Sequence, residues 1–245
     1  MHMIDDKYIQ EHTLFECFEA FKGAQGNNKD ERLEYVTKEF KSLAKKLLYG
    51  GHLLCDKYEI TIQVVEFYYH EEETIDVQDR ILDPIVYHRN GRYPGEPVPP
   101  FPIMSTHAHP SGYDITFEDH PKGKYRASAL IRAYTVKDRD IDKYIRWNPK
   151  DNGNGHQIEW KDYKDFNPED IYQGHRKNVF MVDEKKFLED KKSEFKVDKN
   201  SNLVLDEKEW AFSKKENREI KHSRSETKHS NSFSMKETYY LVTSE

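Results

Sequence analysis

Thiol chemistry is nearly absent, with Cys17 and Cys55 the only cysteines among 245 residues. They form no CxxC pairing, so neither a disulfide framework nor a cysteine zinc site is suggested, and a reducing compartment is the expected setting. Long apolar runs are also missing, and nothing approaches the roughly 20 residues that cross a bilayer. The opening MHMIDDKYIQEH has acidic residues where a secretory leader needs a basic start and an apolar stretch, which gives cytoplasmic as the expected location. Positive charge is short as well: 39 Lys and Arg against 45 Asp and Glu leave a formal net charge of −6. Nucleic-acid binding draws on Lys and Arg that neutralise phosphates, so this balance argues against an extended grip on DNA. At 36% hydrophobic and 34% charged, part of the chain is expected to stay solvated. Aromatics compensate, because 16 Tyr, 13 Phe and 3 Trp, concentrated before residue 180, supply large surfaces to bury.

Leu14, Phe15, Phe18 and Phe21 recur at helical spacing, predicting a helix from Asp5 to Lys22 that Gly23, Gly26 and Asn27 end. A second helix over Asp30 to Tyr49 aligns Phe40, Leu43, Ala44, Leu47 and Leu48 and stops at Gly50 and Gly51. Tyr58 to His70, rich in β-branched and aromatic residues, reads as a strand, as do Tyr113 to Glu118 and Ala127 to Val136. Between them, Asp83 to Gly112 is too rich in Pro and Gly for a continuous helix or a central strand and predicts a long loop. A further helix or strand is expected near Val179 to Leu188, a mobile arm from Ser213 to Lys236, and a returning strand at Thr238 to Thr243. The expected fold is mixed α/β (α+β): a bent, partly antiparallel sheet with N-terminal helices and a partly disordered C-terminal tail. Its expected divisions are 1–29 (helix and loop), 30–190 (core domain) and 191–245 (charged extension).

In EITIQVVEFYYH, strict alternation puts Ile60, Ile62 and Val64 on one face, continued by Glu66 and Tyr68, with Val65, Phe67 and Tyr69 on the other. A carboxylate thus follows three core positions, and burying it requires an opposite charge, a raised pKa or a water-filled pocket. In ASALIRAYTV, Arg132 falls in phase with Leu130, Tyr134 and Val136 and is the expected partner. The pair is read in two ways, as a buried ion pair that secures register or as a catalytic carboxylate oriented by a guanidinium. A strand end emerging into solvent at HEEET is the third reading of Glu66.

FKSLAKKLLYGGHLL, VVEFYYH, a His some twenty residues later, Gly112 before a strand, and ALIRAY are similar in order and approximate spacing to the alkyladenine (3-methyladenine) DNA glycosylases. The resemblance runs from Phe40 to Ala133. It implies a glycosylase-like fold and hydrolysis of the N-glycosidic bond of a modified purine, in DNA or in a free nucleoside. It places Glu66 as the carboxylate that activates water, with Arg132 beside it. Tyr68 and His88 take the places of walls that stack on an extruded base, His107 or His109 that of a second wall, and Asp114 that of a residue screening purine amino groups. No lysine stands in the motif, so a Schiff-base step is not expected, and neither is a cofactor. The chain departs from the family at Ser111, where a tyrosine wedge stands, and it lacks the TxRN and Gly-Pro-Lys-Leu elements.

His107-Ala108-His109, with His88 and Asp83, Asp114 or His120, also suits a metal-dependent hydrolase, although an HxH arises readily by chance among 12 His. A non-catalytic protein that binds a small ligand or a protein partner in the same pocket is the alternative reading. Lys45-Lys46 and KKENREIKHSRSETKHS are the local basic patches, read first as solvated surface and second as phosphate contacts. A monomer is assumed, with no membrane partner.

Overall fold

A computed structural model describes residues 3–71, 79–83, 105–109, 112–118, 124–145, 158–174, 176, 208–214 and 239–240. The stretch expected as one helix is two, α1 (Asp6–Glu11) and α2 (Leu14–Ala20). Thr13 makes the division. Its hydroxyl accepts from the Glu16 N–H, and the Glu16 carboxylate accepts from the Thr13 N–H at 2.8 Å, a reciprocal cap that restarts the helix. Thr13→Ala is expected to cost about 1 kcal/mol. The measurement is a lower urea midpoint at unchanged slope; an unmoved midpoint would mean that packing alone sets the start of α2.

Helix α3 (Lys29–Tyr49) begins at the Asn28 cap and buries Val36, Phe40, Leu43 and Leu47 along one stripe. It ends where the Gly50 N–H donates to the Lys46 carbonyl at 2.7 Å. The described strands are β1 (Gly51–Cys55), β2 (Tyr58–Glu71), β3 (Ser105–His109), β4 (Gly112–Glu118), β5 (Tyr125–Asp138), β6 (Lys143–Ile145), β7 (Ile158–Asp162), β8 (Tyr172–Gly174), β9 (Ala211–Ser213) and β10 (Tyr239–Tyr240). They form one sheet in the order β3-β4-β5-β2-β1-β7, with β9 on β2, β8 on β9, and β6 and β10 on β5. Every pairing is antiparallel except that of β10 with β5. The fold is therefore α+β, as expected. Among the described residues no helix is long and apolar enough to cross a membrane.

Several strands correct the sequence reading. The segment expected as a long loop carries β3, paired with β4. β7 lies in a polar stretch with no alternation to reveal it; it packs so tightly on β1 that a Cβ at Gly51 would stand 2.2 Å from the Lys161 carbonyl oxygen. Residues 208–214, assigned to a charged extension, place β9 against the middle of β2, and Trp210 and Phe212 join the same core as Ile9, Phe18 and Phe21. The expected element at Val179 to Leu188 and nearly all of the expected arm lie outside the described residues.

The core is aromatic. Phe40 of α3 stacks on Phe67 at 4.6 Å and meets Trp210 edge-on at 5.1 Å, while Phe21 packs edge-on against Tyr69, Phe117 and Tyr125. Cys17 and Cys55 are buried and unbridged, and burial pushes the Cys17 thiol up to about 12.

The long pair β2 and β5 contains the most consequential departure from regular alternation. Ile62 pairs with Tyr134 and Val64 with Ala133, leaving Gln63 without an opposite residue. Val65 then pairs with Ile131, leaving Arg132 without one. Each strand thus holds one additional residue at the same level, and the phase of both reverses there. Ile60 and Ile62 before the irregularity, and Val65, Phe67 and Tyr69 after it, all belong to the helix-covered core. On β5 the core positions likewise change from Ala127, Ala129 and Ile131 to Tyr134 and Val136.

Candidate functional site

This double bulge determines where Glu66 lies. It does not continue the face of Ile60 and Ile62, and Arg132 is not in phase with Tyr134 and Val136. Glu66, Tyr68, Leu130 and Arg132 instead occupy the face turned away from the helices, where Tyr68 and Leu130 form a small apolar cluster of their own. A bulged residue is released from strict pairing and its side chain is re-aimed. That brings the Arg132 Nε to 2.5 Å from Glu66 Oε2, to which the Tyr68 hydroxyl also donates at 2.7 Å. Arg132 Nη2 reaches the Tyr68 oxygen at 3.4 Å. Glu66, Arg132 and Tyr68 are 3%, 3% and 4% exposed, so these contacts lie away from bulk water, where charge-assisted bonds are strongest.

Burial, then the Glu66 charge, raises the Tyr68 pKa well above that of a free phenol, so Tyr68 serves as a donor to the carboxylate. For Arg132, burial alone would lower the pKa, but the charge of Glu66 and the bonds to Glu66 and Tyr68 outweigh it and raise the value. The guanidinium stays charged.

Of the residues singled out in the sequence, Glu66, Tyr68 and Arg132 meet directly. His107 and Asp114 share a cross-strand row with Glu66: His107 pairs with Asp114, Asp114 with Leu130, and Leu130 with Glu66. At strand spacings of about 4.8 Å, the row sets the β3 backbone roughly 14 Å from that of Glu66. His109 lies opposite Gly112 at the end of β3. His88 lies outside the described residues. Among the described residues no three His, Cys, Asp or Glu side chains gather around a point that would hold a metal ion.

Sequence reasoning missed a second buried pair next to this cluster. Arg176 Nη1 donates to Asp83 Oδ2 at 2.5 Å and to the Phe67 carbonyl at 3.0 Å, and its guanidinium lies over the Tyr68 ring at 4.5 Å and the Trp210 ring at 5.4 Å. Asp83 also accepts from the Tyr69 N–H at 3.3 Å, at an edge of β2 where none of the described strands pairs. Burial would raise the Asp83 pKa, but Arg176 and then Lys208 overcome it and hold the carboxyl below its usual range. Asp83 starts a Pro-rich stretch and Arg176 ends a polar one, so no periodicity marks either. The hydroxyl of Ser128, which pairs opposite Tyr68, and Arg176 Nε are buried and find no hydrogen-bond partner among the described residues. A third pair, Arg32 Nε to Glu71 Oε1 at 3.0 Å, ties α3 to the end of β2, where Glu71 also accepts from the Ile81 N–H at 2.7 Å.

In chemical terms the cluster holds a carboxylate in a dry setting, oriented by one guanidinium and one phenol whose ring a second guanidinium covers. Such a group can accept a proton from an ordered water. Compared with protein-family models, curated proteins and solved structures, the chain matches none.

Proposed function

We propose that the protein is a base-excision glycosylase-like hydrolase that breaks the N-glycosidic bond of a modified purine, in DNA or as a free nucleoside. The observation that carries the reading is the triad at Glu66: the carboxylate is engaged by Arg132 and Tyr68 in the same row of the sheet as Asp114 and His107. In this reading Glu66 takes a proton from water as its oxygen attacks the sugar C1′. The glycosidic bond breaks and the base leaves with the bonding electrons. Arg132 and Tyr68 hold the carboxylate in place, so that little reorganisation accompanies the step. In this reading His88 and either His107 or His109 supply walls for a base removed from the stack, beside the Tyr68 ring that Arg176 covers.

The test is release of free base, and formation of abasic sites, from a panel of alkylated and deaminated DNAs and the matching nucleosides. Glu66→Gln is expected to lower the rate about a hundredfold; because it also takes the charge from one partner of a buried pair, the comparison is made under conditions where circular dichroism shows both proteins folded. A wild-type protein inert across the panel sinks the reading.

The depth of the triad favours a second reading. Exposures of only 3–4% at Glu66, Arg132 and Tyr68 also suit an ion pair that fixes strand register in a non-catalytic protein with a ligand or a protein partner. That reading predicts binding of a lesion or nucleoside without turnover, retained in Glu66→Gln.

A further inference from the structure

Strand β7 stands at one end of the sheet order, and among the described residues it pairs with β1 alone. The register shows which of its backbone groups face the other edge. The Tyr163 N–H, one position past the pair of Asp162 with Gly51, donates to the Gly50 carbonyl at 2.9 Å, and the Lys161 carbonyl oxygen also lies against Gly51. Successive residues of a strand direct their N–H and C=O groups to opposite edges. Glu159 and Lys161 therefore bond toward β1, and the backbone groups of Ile158, Trp160 and Asp162 point outward.

The side chains divide in the same alternation. Glu159 and Lys161 share one face, where Lys161 Nζ stands 2.8 Å from Glu159 Oε2 and the two side chains are 49% and 51% exposed. Trp160 takes the other face, half-buried over Gly51, with its Nε1 donating to Asp162 Oδ1 at 3.0 Å.

A charge on an edge strand, and a Lys above all, ordinarily guards against pairing with another chain. Here the charges are complementary to themselves. When two copies of β7 run antiparallel about a two-fold axis at Trp160, each Glu159 faces Lys161 of the second copy, and this happens twice by symmetry. The outward groups of Ile158, Trp160 and Asp162 then meet those of Asp162, Trp160 and Ile158, so each donor finds an acceptor. Moving the axis by one residue sets Lys161 against Lys161 or Glu159 against Glu159, which repel.

We propose that the protein pairs with a second copy of itself through β7, continuing the sheet across a two-fold axis at Trp160, in place of the monomer assumed from the sequence. Five residues from each copy bury little area, so the dimer is weak, with a dissociation constant of about 0.1 mM.

The test is sedimentation velocity of the full chain at concentrations well below and well above that value. A dimer that grows with concentration and weakens with added salt is expected. Protection of the Trp160 amide from hydrogen exchange should rise in parallel, because the second copy supplies its acceptor. Lys161→Glu and Glu159→Lys each set like charges across the axis and should weaken self-association about tenfold. Both alter exposed positions, and circular dichroism checks that the fold is kept. Mixing the two variants places Glu opposite Lys again, so the mixed dimer should regain the wild-type affinity, as should the doubly exchanged chain Glu159→Lys/Lys161→Glu. A wild type that stays monomeric, a Trp160 amide that exchanges alike across the range, unchanged self-association in either single variant, or a mixture that associates no better than its parts would each overturn the proposal.

Discussion

Arg132→Met is expected to lower the stability of the fold by about 3–5 kcal/mol, the usual result of removing one partner of a buried ion pair. Glu66 and Arg132 are each 3% exposed and only 2.5 Å apart, so the variant leaves a carboxylate deep in the sheet, still bonded to the Tyr68 hydroxyl but without its guanidinium. Adding Glu66→Leu should restore most of the loss, because two apolar side chains of similar volume replace two desolvated charges. Urea denaturation of the single and double variants is the measurement. A loss below about 1 kcal/mol for Arg132→Met would mean that water reaches Glu66 readily. It would remove the dry setting on which the proposed chemistry relies.

The second large effect is on pH dependence and centres on Glu39. This residue of α3 is 1% exposed, and both of its oxygens accept from the Ile4 N–H, at 3.1 and 3.2 Å. Burial, only partly opposed by that backbone bond, pushes its pKa up from 4.5 to about 7. In the unfolded chain the carboxyl loses its proton near its ordinary value, and in the folded chain it keeps it to higher pH. Between those values the folded state holds more protons, so stability falls as pH rises. The contribution is fully present below about 4.5 and lost by about 7, amounting to about 3 kcal/mol. Glu39→Gln should flatten this part of the profile, because an amide does not titrate. Denaturation midpoints from pH 4 to 8 decide the matter, and parallel profiles for the two proteins would assign the dependence to other groups.

The sequence revealed elements wherever burial imposes a regular period. α3 shows its apolar stripe and the glycine that ends it, and β2, β4 and β5 show their β-branched and aromatic runs. β7 and β8 are short, lie at or beyond the edge of the sheet and are mostly exposed, so nothing in their composition separates them from loops. α1 and α2 read as one because their apolar positions stay nearly in phase across Thr13, and the reciprocal Thr13–Glu16 cap outweighs that pattern.

At the site, the approach of Arg132 to Glu66 was legible because two charges in two apolar strands need each other. The face they share was not. Alternation counts residues, and a bulge adds one without any marker in the side chains. Arg176 and Asp83 were missed for a related reason: their meeting spans 93 positions and depends on tertiary closure alone.

The double bulge also bears on how this chain can change length. Gln63 and Arg132 offset each other, so the register beyond them, from Val65 with Ile131 to Glu71 with Tyr125, resumes as though neither were there. Removing Gln63 alone would reverse the β2 positions on one side of the lesion, turning Glu66 toward the helices or Ile60 and Ile62 away from them. Removing Gln63 and Arg132 together would restore regular alternation but discard the guanidinium. Deletions in this pair of strands are therefore tolerable only as matched events, and even the matched event removes the partner of Glu66.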